Sequence, residues 1–243
     1  MSYILILGAK SDMAKAVARV YASHGYDLYL ACRNTAELDE QIKDIDVRYS
    51  RKAVPVEMDI TATETHAAIY GALDPKPEGV ISVVGYLGDQ KTAEKDFSEA
   101  DRIMRTNYTG PVSMLNLAAN DMESRKSGFI IGVSSVAGDR GRKSNYIYGS
   151  AKAGFSEYLS GLRNRLFTAG VHVMTVKPGF VDTKMTAGMD LPKKLTAQPV
   201  EVAEDIYSAW SKGKNVIYTK KRWRLIMLII RHIPEFIFKK TSI

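Results

Sequence analysis

The chain has 243 residues, of which 45% are hydrophobic and 25% charged. This length and composition predict one globular domain with a substantial core and exclude a low-complexity or disordered protein. The formal net charge is +7, and the single cysteine, Cys32, excludes an internal disulfide and fits a reducing compartment.

The sequence predicts neither a signal peptide nor a metal site. The apolar residues 4–7 follow the start directly, without the basic region or the long apolar stretch of a signal peptide. The four histidines are scattered, without the spacing of metal ligands, so no metal site is predicted. We therefore expect a cytoplasmic protein that acts on a small molecule and has no nucleic-acid partner.

Strands and helices alternate along the chain. Strands are predicted at residues 3–7, 27–32, 53–58, 79–84, 129–133, 171–176 and 216–218. Helices are predicted at residues 13–24, 36–48, 63–73, 97–122, 148–168 and 199–212, the fourth of them kinked near Gly110-Pro111. Apolar strands that alternate with helices indicate an α/β fold, a Rossmann-like doubly wound parallel sheet with helices on both faces. Such sheets bind ligands at the carboxyl ends of their strands.

The turn at residues 8–14 joins the first strand to the first helix. Gly8 permits a tight turn and a close approach to phosphate, and the helix N-terminus offers free N–H groups to a pyrophosphate. Ser11 or Asp12 is suited to cap this helix. By itself, the segment is equally typical of an ordinary strand-helix turn.

Tyr148 and Lys152 lie four residues apart on a predicted helix, so both side chains occupy one face. A nearby ammonium favours the phenolate and lowers the pKa of a tyrosine, which can then exchange a proton with an alcohol or ketone. Ser135, thirteen residues upstream, adds a hydroxyl for the substrate oxygen. A lone Tyr-x-x-x-Lys pair also occurs by chance on solvated helices, so this interpretation depends on the remaining motifs. Tyr146 and Ser134 lack this spacing and are interpreted as structural.

Several motifs in order resemble the short-chain dehydrogenase/reductase family over nearly the whole chain. Asp59 follows the third strand where the family places an acid near adenine, Asn107 matches a helix-borne asparagine, and Pro178-Gly179 opens the loop after strand six. The resemblance implies the catalytic residues Asn107, Ser135, Tyr148 and Lys152. It implies the cofactor-binding residues Gly8, Lys10, Ser11, Asp12, Met13, Arg33, Asp59, Ile60, Gly85, Tyr148, Lys152, Pro178, Gly179, Val181 and Thr183.

The same resemblance implies a mechanism. NAD(P)H delivers hydride to a ketone, Tyr148 protonates the developing alkoxide, and Ser135 steadies the carbonyl oxygen. Lys152 lowers the pKa of Tyr148 and binds the nicotinamide ribose, while Asn107 anchors a water that passes protons to Lys152. The alternative is a non-catalytic dinucleotide-binding regulator of the same fold. An epimerase or dehydratase would have a longer carboxyl-terminal domain.

Two segments depart from the family pattern. Asp12 and Ala14 stand where the second and third glycines of the turn are usual, and an aspartate beside a pyrophosphate is unfavourable unless its carboxylate turns away. Ser82-Val83-Val84-Gly85 replaces the usual Asn-Asn-Ala-Gly after strand four. The turn of the Gly-Ala-x-Ser-Asp type, the segment Gly85-Tyr86-Leu87-Gly88-Asp89 and the basic, apolar C-terminus loosely resemble the branch of reductases that reduce decaprenylphosphoryl-2-keto-ribose. A keto-sugar or a lipid-linked ketone is therefore one candidate substrate.

The second strand predicts the cofactor. NAD binders carry an acid at this strand end for the ribose 2′-hydroxyl, whereas a basic residue suits a 2′-phosphate. Here the strand ends in Cys32-Arg33-Asn34, and Lys10 offers a second positive charge. NADP(H) is favoured, with NAD(H) as the alternative if Arg33 is merely solvated.

The C-terminal segment divides the predicted chain into a catalytic domain, residues 1–218, and a basic amphipathic extension, residues 219–243. Seven basic residues in it match the whole net charge: Lys220, Lys221, Arg222, Arg224, Arg231, Lys239 and Lys240. Its apolar stretch is too short to cross a bilayer but suits an anionic membrane interface. The alternatives are a cover over the substrate pocket or packing between subunits.

Substrate contacts and self-association are less specific predictions. Tyr86, Asn145, Phe180 and residues 185–189 are predicted to line the substrate pocket. The resemblance implies a homodimer or homotetramer that pairs through the helix carrying Tyr148.

Overall fold

The computed structural model describes residues 2–241 and contains the predicted parallel sheet. Its seven strands are β1 Tyr3–Leu7, β2 Asp27–Cys32, β3 Ala53–Glu57, β4 Gly79–Ser82, β5 Phe129–Val133, β6 His172–Lys177 and β9 Val216–Tyr218. Their order is β3-β2-β1-β4-β5-β6-β9, and every neighbouring pair is parallel. The order reverses between β1 and β4, where sheets of this topology bind ligands.

Helices connect the strands and continue beyond the sheet. They are α1 Asp12–Ser23, α2 Asp39–Tyr49, α3 His66–Gly71, α4 Gln90–Ala93, α5 Phe97–Met104, α6 Gly110–Arg125, α7 Tyr146–Leu166, α8 Pro199–Ser211, α9 Arg222–His232 and α10 Glu235–Phe238. Between β6 and α8, the short strands β7 (Phe180–Val181) and β8 (Thr196–Ala197) form a separate parallel pair. The predicted doubly wound α/β fold is confirmed.

Two apolar clusters cover the two faces of the sheet. Because successive strand residues point to opposite faces, Ile4 and Ile6 belong to one cluster and Leu5 and Leu7 to the other. Helices α1, α2 and α8 pack on the first face, and α3, α6 and α7 on the second. This arrangement fixes the carboxyl ends of the strands along one rim.

The long helix predicted at residues 97–122 is interrupted by an irregular turn. A π-helical turn, Arg105–Thr109, separates α5 from α6. Pro111 lies in the first turn of α6, where its missing N–H leaves no hydrogen bond unmade. The irregular turn ends directly before Gly110-Pro111, near the predicted kink, and it contains Asn107.

The C-terminal segment packs against the rest of the chain through one face of α9. Trp223, Met227 and Ile230 are buried there in a small apolar cluster. Arg140 holds the end of this segment, since its Nη1 donates to the carbonyls of Ile230 and Ile233, both at 2.6 Å. Within residues 2–241, no helix has both the length and the apolar character needed to span a bilayer.

Candidate active site

The turn after β1 has the geometry of a phosphate-binding turn. Gly8 has φ +83°, and an added Cβ would lie 3.2 Å from the Cα of Val84, so this position favours glycine for both conformation and space. The N–H groups of Gly8 and Ala9 both donate to the carbonyl of Ala31. Ser11, rather than Asp12, caps α1, accepting a 3.2 Å hydrogen bond from the N–H of Ala14.

Asp12 turns its carboxylate away from this turn. Its Oδ2 accepts a 2.9 Å hydrogen bond from the backbone N–H of Lys184, in the loop after β7. The substitution that departs from the family pattern thus fastens the loop after β7 to the start of α1. The negative charge also acquires a partner other than a pyrophosphate.

Ser135 and Tyr148 are brought together because backbones approach closely at two glycines. An added Cβ at Gly138 would lie 2.7 Å from the backbone nitrogen of Ala153. One at Gly149 would lie 2.8 Å from the carbonyl oxygen of Ala137. The turn that follows Ser135 therefore rests directly on α7, and both hydroxyls line the same cavity.

Burial controls the ionisation of Tyr148 and Lys152. It raises the pKa of Tyr148 to about 12, while a hydrogen bond with Ser135 acts in the opposite direction. Burial also lowers the pKa of Lys152 to about 7, and its Nζ donates to the carbonyls of Val84 and Val133, both at 3.1 Å. The predicted lowering of the Tyr148 pKa by Lys152 is wrong for this arrangement, because burial penalises both charged forms.

Asn107 is fully buried behind the strand end rather than exposed in the cleft. Its Oδ1 accepts from the N–H of Tyr86 at 3.2 Å, and its Nδ2 donates to the carbonyls of Tyr86 and Ile103. Together with the bond from Lys152 to Val84, these contacts hold the segment after β4. The hydroxyl of Ser82, by contrast, is buried without a hydrogen-bond partner among the described residues.

Three adjoining cavities form a cleft along the carboxyl rim. The Arg33 cavity of about 270 Å³ lies at the ends of β2 and β3, and the Lys152 cavity of about 120 Å³ lies beside it. The Trp223 cavity, of about 160 Å³, follows. The first two share Gly85 and the second and third share Tyr148, so neighbouring cavities border the same residues.

The predicted site residues are distributed along this cleft. The Arg33 cavity is lined by Gly8, Lys10, Ser11, Arg33, Asp59, Ile60 and Gly85, and the Lys152 cavity adds Asp12, Met13, Tyr148, Lys152 and Thr183. The Trp223 cavity is lined by Ser135, Pro178, Gly179 and Val181, with Met13, Tyr148 and Thr183. Asn107 alone among them lines none of the three. Of the two decoys, Tyr146 is exposed and lines none of these cavities. Ser134 lines the Lys152 and Trp223 cavities, but its hydroxyl donates to the carbonyl of Lys152 at 2.9 Å.

The substrate-pocket prediction is incomplete and misplaces one residue. Asn145, Phe180 and Met185 line the Trp223 cavity as predicted, with Thr186 and Met189. Tyr86 instead lines the Arg33 cavity, and its hydroxyl donates to Glu99 at 2.9 Å. The prediction did not include Leu87, Ser134, Val136 and Ala137, nor the two large side chains of Arg142 and Trp223. Neither carries a local signal, since Arg142 lies in a polar loop and Trp223 in the C-terminal segment.

Trp223 closes one side of its cavity. Its ring packs edge-on against Phe180, with centroids 5.3 Å apart, and its Nε1 donates to the carbonyl of Leu195 at 3.0 Å. Trp223 also lies so close to Gly179 that an added Cβ would meet its ring at 2.0 Å. Of the roles considered for the C-terminal segment, covering the pocket is thus present in the structure.

The cleft has groups suited to a dinucleotide. The N-terminus of α1 lies beside the cleft at Ser11, and a protonated Lys152 keeps a third N–H beyond the two bonds to carbonyls. Arg33 and Lys10 provide positive charge at the far end. Both are partly exposed, and their pairs with Asp59 at 3.9 Å and Glu37 at 2.9 Å are weak enough for a bound anion to compete.

The sequence is similar to one protein family and to several oxidoreductases over most of its length. The model of the short chain dehydrogenase family matches residues 2–193. An uncharacterised oxidoreductase of Mycobacterium tuberculosis is 33% identical over 240 residues, covering 98% of this chain and 96% of that protein. Another from Streptomyces coelicolor is 31% identical over 243 residues, covering 99% and 96%.

Solved structures share the fold at lower identity. A short-chain dehydrogenase from Sphingobium yanoikuyae in complex with NADPH has a TM-score of 0.83 and 21% identity, covering 97% of both chains. One from Burkholderia cenocepacia in complex with NADP has a TM-score of 0.84 and 22% identity, covering 98% of this chain and 96% of that one. With the family match over residues 2–193 and relatives above 30% identity, these likenesses show that the chain belongs to the short-chain dehydrogenase family of NAD(P)-dependent oxidoreductases.

Proposed function

We propose that this protein reduces a ketone to a secondary alcohol, with NADP(H) as the cofactor and Tyr148 as the proton donor. The observation that carries the proposal is the position of Tyr148, which borders both the Lys152 cavity and the Trp223 cavity. A cofactor in the first and a ketone in the second would meet at its hydroxyl. NADPH, when bound, supplies the hydride.

The residues around the phenol have separate tasks. Tyr148 remains protonated at neutral pH because its pKa is raised to about 12, so it is ready to donate to an alkoxide. Ser135 accepts from the N–H of Ala137 at 3.1 Å and hydrogen-bonds Tyr148, and its O–H would turn to the substrate oxygen when a ketone is bound. Lys152 would hold the ribose with its remaining N–H, and Asn107 would support a proton relay by holding the segment at Tyr86.

The preference for NADP(H) over NAD(H) rests on the Arg33 cavity. The end of β2 carries no acid that could hold a ribose 2′-hydroxyl, and Arg33 and Lys10 face the cavity instead. Glu57, the acid at the end of β3, already accepts from the backbone N–H groups of Asn34 and Thr35. A 2′-phosphate therefore finds two cations here.

Substitution of Tyr148 by Phe tests the proposal. We expect the variant to lose about 10²-fold or more of NADPH-dependent ketone reduction, because only the proton donor is removed. NADPH binding, followed by cofactor fluorescence, should stay nearly unchanged, and the wild type should bind NADPH more tightly than NADH. The reduction assay should span simple ketones, acyl-linked ketones and keto-sugars, including prenyl-phosphate-linked ones.

Tyr146→Phe is the matched control, since this exposed tyrosine lies two residues away at the start of α7. It should retain full activity. Turnover retained by Tyr148→Phe would remove this residue from the acid role. NADPH binding without reduction of any ketone would favour the non-catalytic regulator.

We also propose that residues 219–243 act as an extension that contacts anionic membrane. While one face of α9 is buried on the cavity, Leu225, Leu228 and Ile229 on the other face are more than half exposed. Basic residues at both ends of the segment would attract an anionic surface. The extension would thus bring the mouth of the Trp223 cavity close to a lipid-linked ketone.

Self-association through α7 remains a proposal that the family resemblance supports. The exposed side chains of Tyr146 and Phe167 at the two ends of this helix are apolar surface that a second copy could cover. Sedimentation equilibrium over a range of concentrations tests it. A protein that stays monomeric throughout would contradict the expected homodimer or homotetramer.

A further inference from the structure

The Trp223 cavity contains a positive charge that the proposed reaction does not use. Arg142 lines this cavity together with Ser135 and Tyr148. Its guanidinium is largely withdrawn from water, and its Nε is buried without a hydrogen-bond partner among residues 2–241. An arginine carries five N–H donors, and a buried one ordinarily has a carboxylate, phosphate or carbonyl partner.

The protein contacts of Arg142 are few and weak. Its Nη2 lies 3.5 Å from the carbonyl of Val136 and 4.0 Å from the sulfur of Met227, a poor acceptor. No carboxylate of the described chain, residues 2–241, lies within 4.0 Å of its guanidinium. Burial accordingly lowers the pKa of Arg142 from its ordinary value, with Asp139 acting in the opposite direction.

Asp139, the acid nearest in sequence, is committed elsewhere. Its Oδ1 accepts from the Nζ of Lys177 at 2.6 Å, and its Oδ2 accepts from the hydroxyl of Tyr218 at 2.7 Å. Both oxygens are therefore directed to the end of β6 and to β9.

A neighbouring arginine in the same loop shows how a structural guanidinium is held in this protein. Arg140 donates to two carbonyls at 2.6 Å, pairs with Glu235 at 2.9 Å and stacks on the ring of Phe238. Arg142 lies only two residues away, but within the described residues it has no ion pair and no stacked ring, and its one carbonyl contact is long, at 3.5 Å. Packing alone therefore does not account for a charged side chain at this position, where an apolar one would cost less to bury.

We propose that Arg142 is a specificity-determining residue that binds an oxyanion, a carboxylate or a phosphate, carried by the ketone substrate. This inference rests on the proposed ketone reduction and adds the charge class of the substrate. The planar guanidinium suits bidentate binding of such a group, and the enclosed, mostly apolar surroundings strengthen the ion pair. The anion would lie on the same side of the cleft as Ser135 and Tyr148, which orients the carbonyl towards them.

Matched pairs of ketones test the inference. NADPH-dependent kcat/KM is measured for levulinate against methyl levulinate, and for dihydroxyacetone phosphate against dihydroxyacetone. We expect the wild type to prefer at least one anionic member by about tenfold or more. Arg142→Gln should remove this preference, mainly through KM, and Arg142→Lys should keep part of it. Lys143→Gln, which removes an exposed charge one residue away, should keep all of it.

A binding measurement decides the inference even if no ketone is turned over. Trp223 lines the cavity, so a Trp210→Phe background makes its fluorescence the reporter for anions. With NADP⁺ saturating and ionic strength held by sodium chloride, inorganic phosphate or acetate should give a saturable change that Arg142→Gln abolishes and Lys143→Gln retains. Absence of a saturable change with both anions would overturn the inference, as would an equal change in Arg142→Gln. If anions bind in this way but no ketone is reduced, the proposed function fails while the anion site stands.

Discussion

Lys152 illustrates how much of the chemistry of this site is set by burial. The side chain is 2% exposed and has two carbonyl partners, but no carboxylate pairs with it in the described chain. Its ammonium form is therefore expensive in the absence of cofactor, and its pKa is lowered from 10.5 to about 7. Protonation of Lys152 therefore lowers the free energy of unfolding of the cofactor-free protein by a measurable amount.

The pH dependence of the free energy of unfolding should reveal this destabilisation by the buried ammonium. Between about pH 7 and 10, the unfolded chain keeps the Lys152 proton and the folded chain releases it, so the free energy of unfolding rises with pH. In Lys152→Met this rise should be missing. The unfolding free energy of the variant should therefore exceed that of the wild type most at about pH 7 and below, and the excess should shrink by about 1.4 kcal/mol per pH unit above pH 7. Urea unfolding of the cofactor-free proteins from about pH 6 to 9.5 measures the difference.

Lys143→Met provides the baseline for this series, since Lys143 is exposed in the loop before α7. Its unfolding free energy should run parallel to that of the wild type. A constant difference between Lys152→Met and the wild type over the whole range would contradict the lowered pKa.

The positions of single residues were predictable from sequence where the fold sets the spacing. Ser135, Tyr148 and Lys152 are joined by one strand end and one helix, so their separation along the chain fixes their meeting in space. The partner of Asp12 and the isolation of Arg142 were not predictable, because each depends on where distant loops lie. The same holds for the pKa of Tyr148, since burial is a property of the packed molecule.

At the scale of elements, the loop after β6 and helix α9 depend on each other. Gly179 has no side chain, and the ring of Trp223 occupies the space where one would be. The sequence suggested only a family motif at Pro178-Gly179, since the tryptophan that uses the space comes more than forty residues later. The packing thus links the C-terminal segment to the cleft.

Gly179→Ala should disturb this packing. The added methyl group would meet the indole at 2.0 Å, so we expect a loss of about 1–3 kcal/mol in the free energy of unfolding as Trp223 shifts. Trp223→Leu in the same chain should recover part of the loss, which a double-mutant cycle in urea would show as a coupling between the two positions.

Gly161→Ala is the control for adding a methyl group to glycine. Gly161 lies within α7 with nothing near an added Cβ, so alanine should stabilise the protein by about 1 kcal/mol or less. Additive effects of Gly179→Ala and Trp223→Leu would argue against a direct contact between these positions.

At the scale of the whole molecule, the sheet was predictable and the C-terminus was only partly so. Apolar strands alternating with helices allow few topologies, and the observed strand order is that of a doubly wound parallel sheet. In the C-terminal segment, by contrast, the apolar residues of α9 serve two surroundings. Trp223, Met227 and Ile230 face the protein, whereas Leu225, Leu228 and Ile229 face outwards. The sequence alone did not show which of these residues would be buried and which would be exposed.

The outward face allows a test of membrane contact that leaves the cavity intact. Truncation after Tyr218 would also remove Trp223 from the cavity, so point substitutions are the sharper choice. We expect the wild type to co-sediment with vesicles of phosphatidylcholine and phosphatidylserine, less so with phosphatidylcholine alone, and less at high salt. Leu225→Asp with Ile229→Asp should weaken this binding about tenfold or more, because apolar area that would enter the interface is lost. Val47→Asp with Phe97→Asp places the same two charges on exposed apolar residues of α2 and α5 and should bind as the wild type does. Equal binding by the wild type and the α9 variant would contradict the membrane proposal. A near-ultraviolet spectrum of the variant that matches that of the wild type would show that Trp223 and the inner face of α9 had stayed in place.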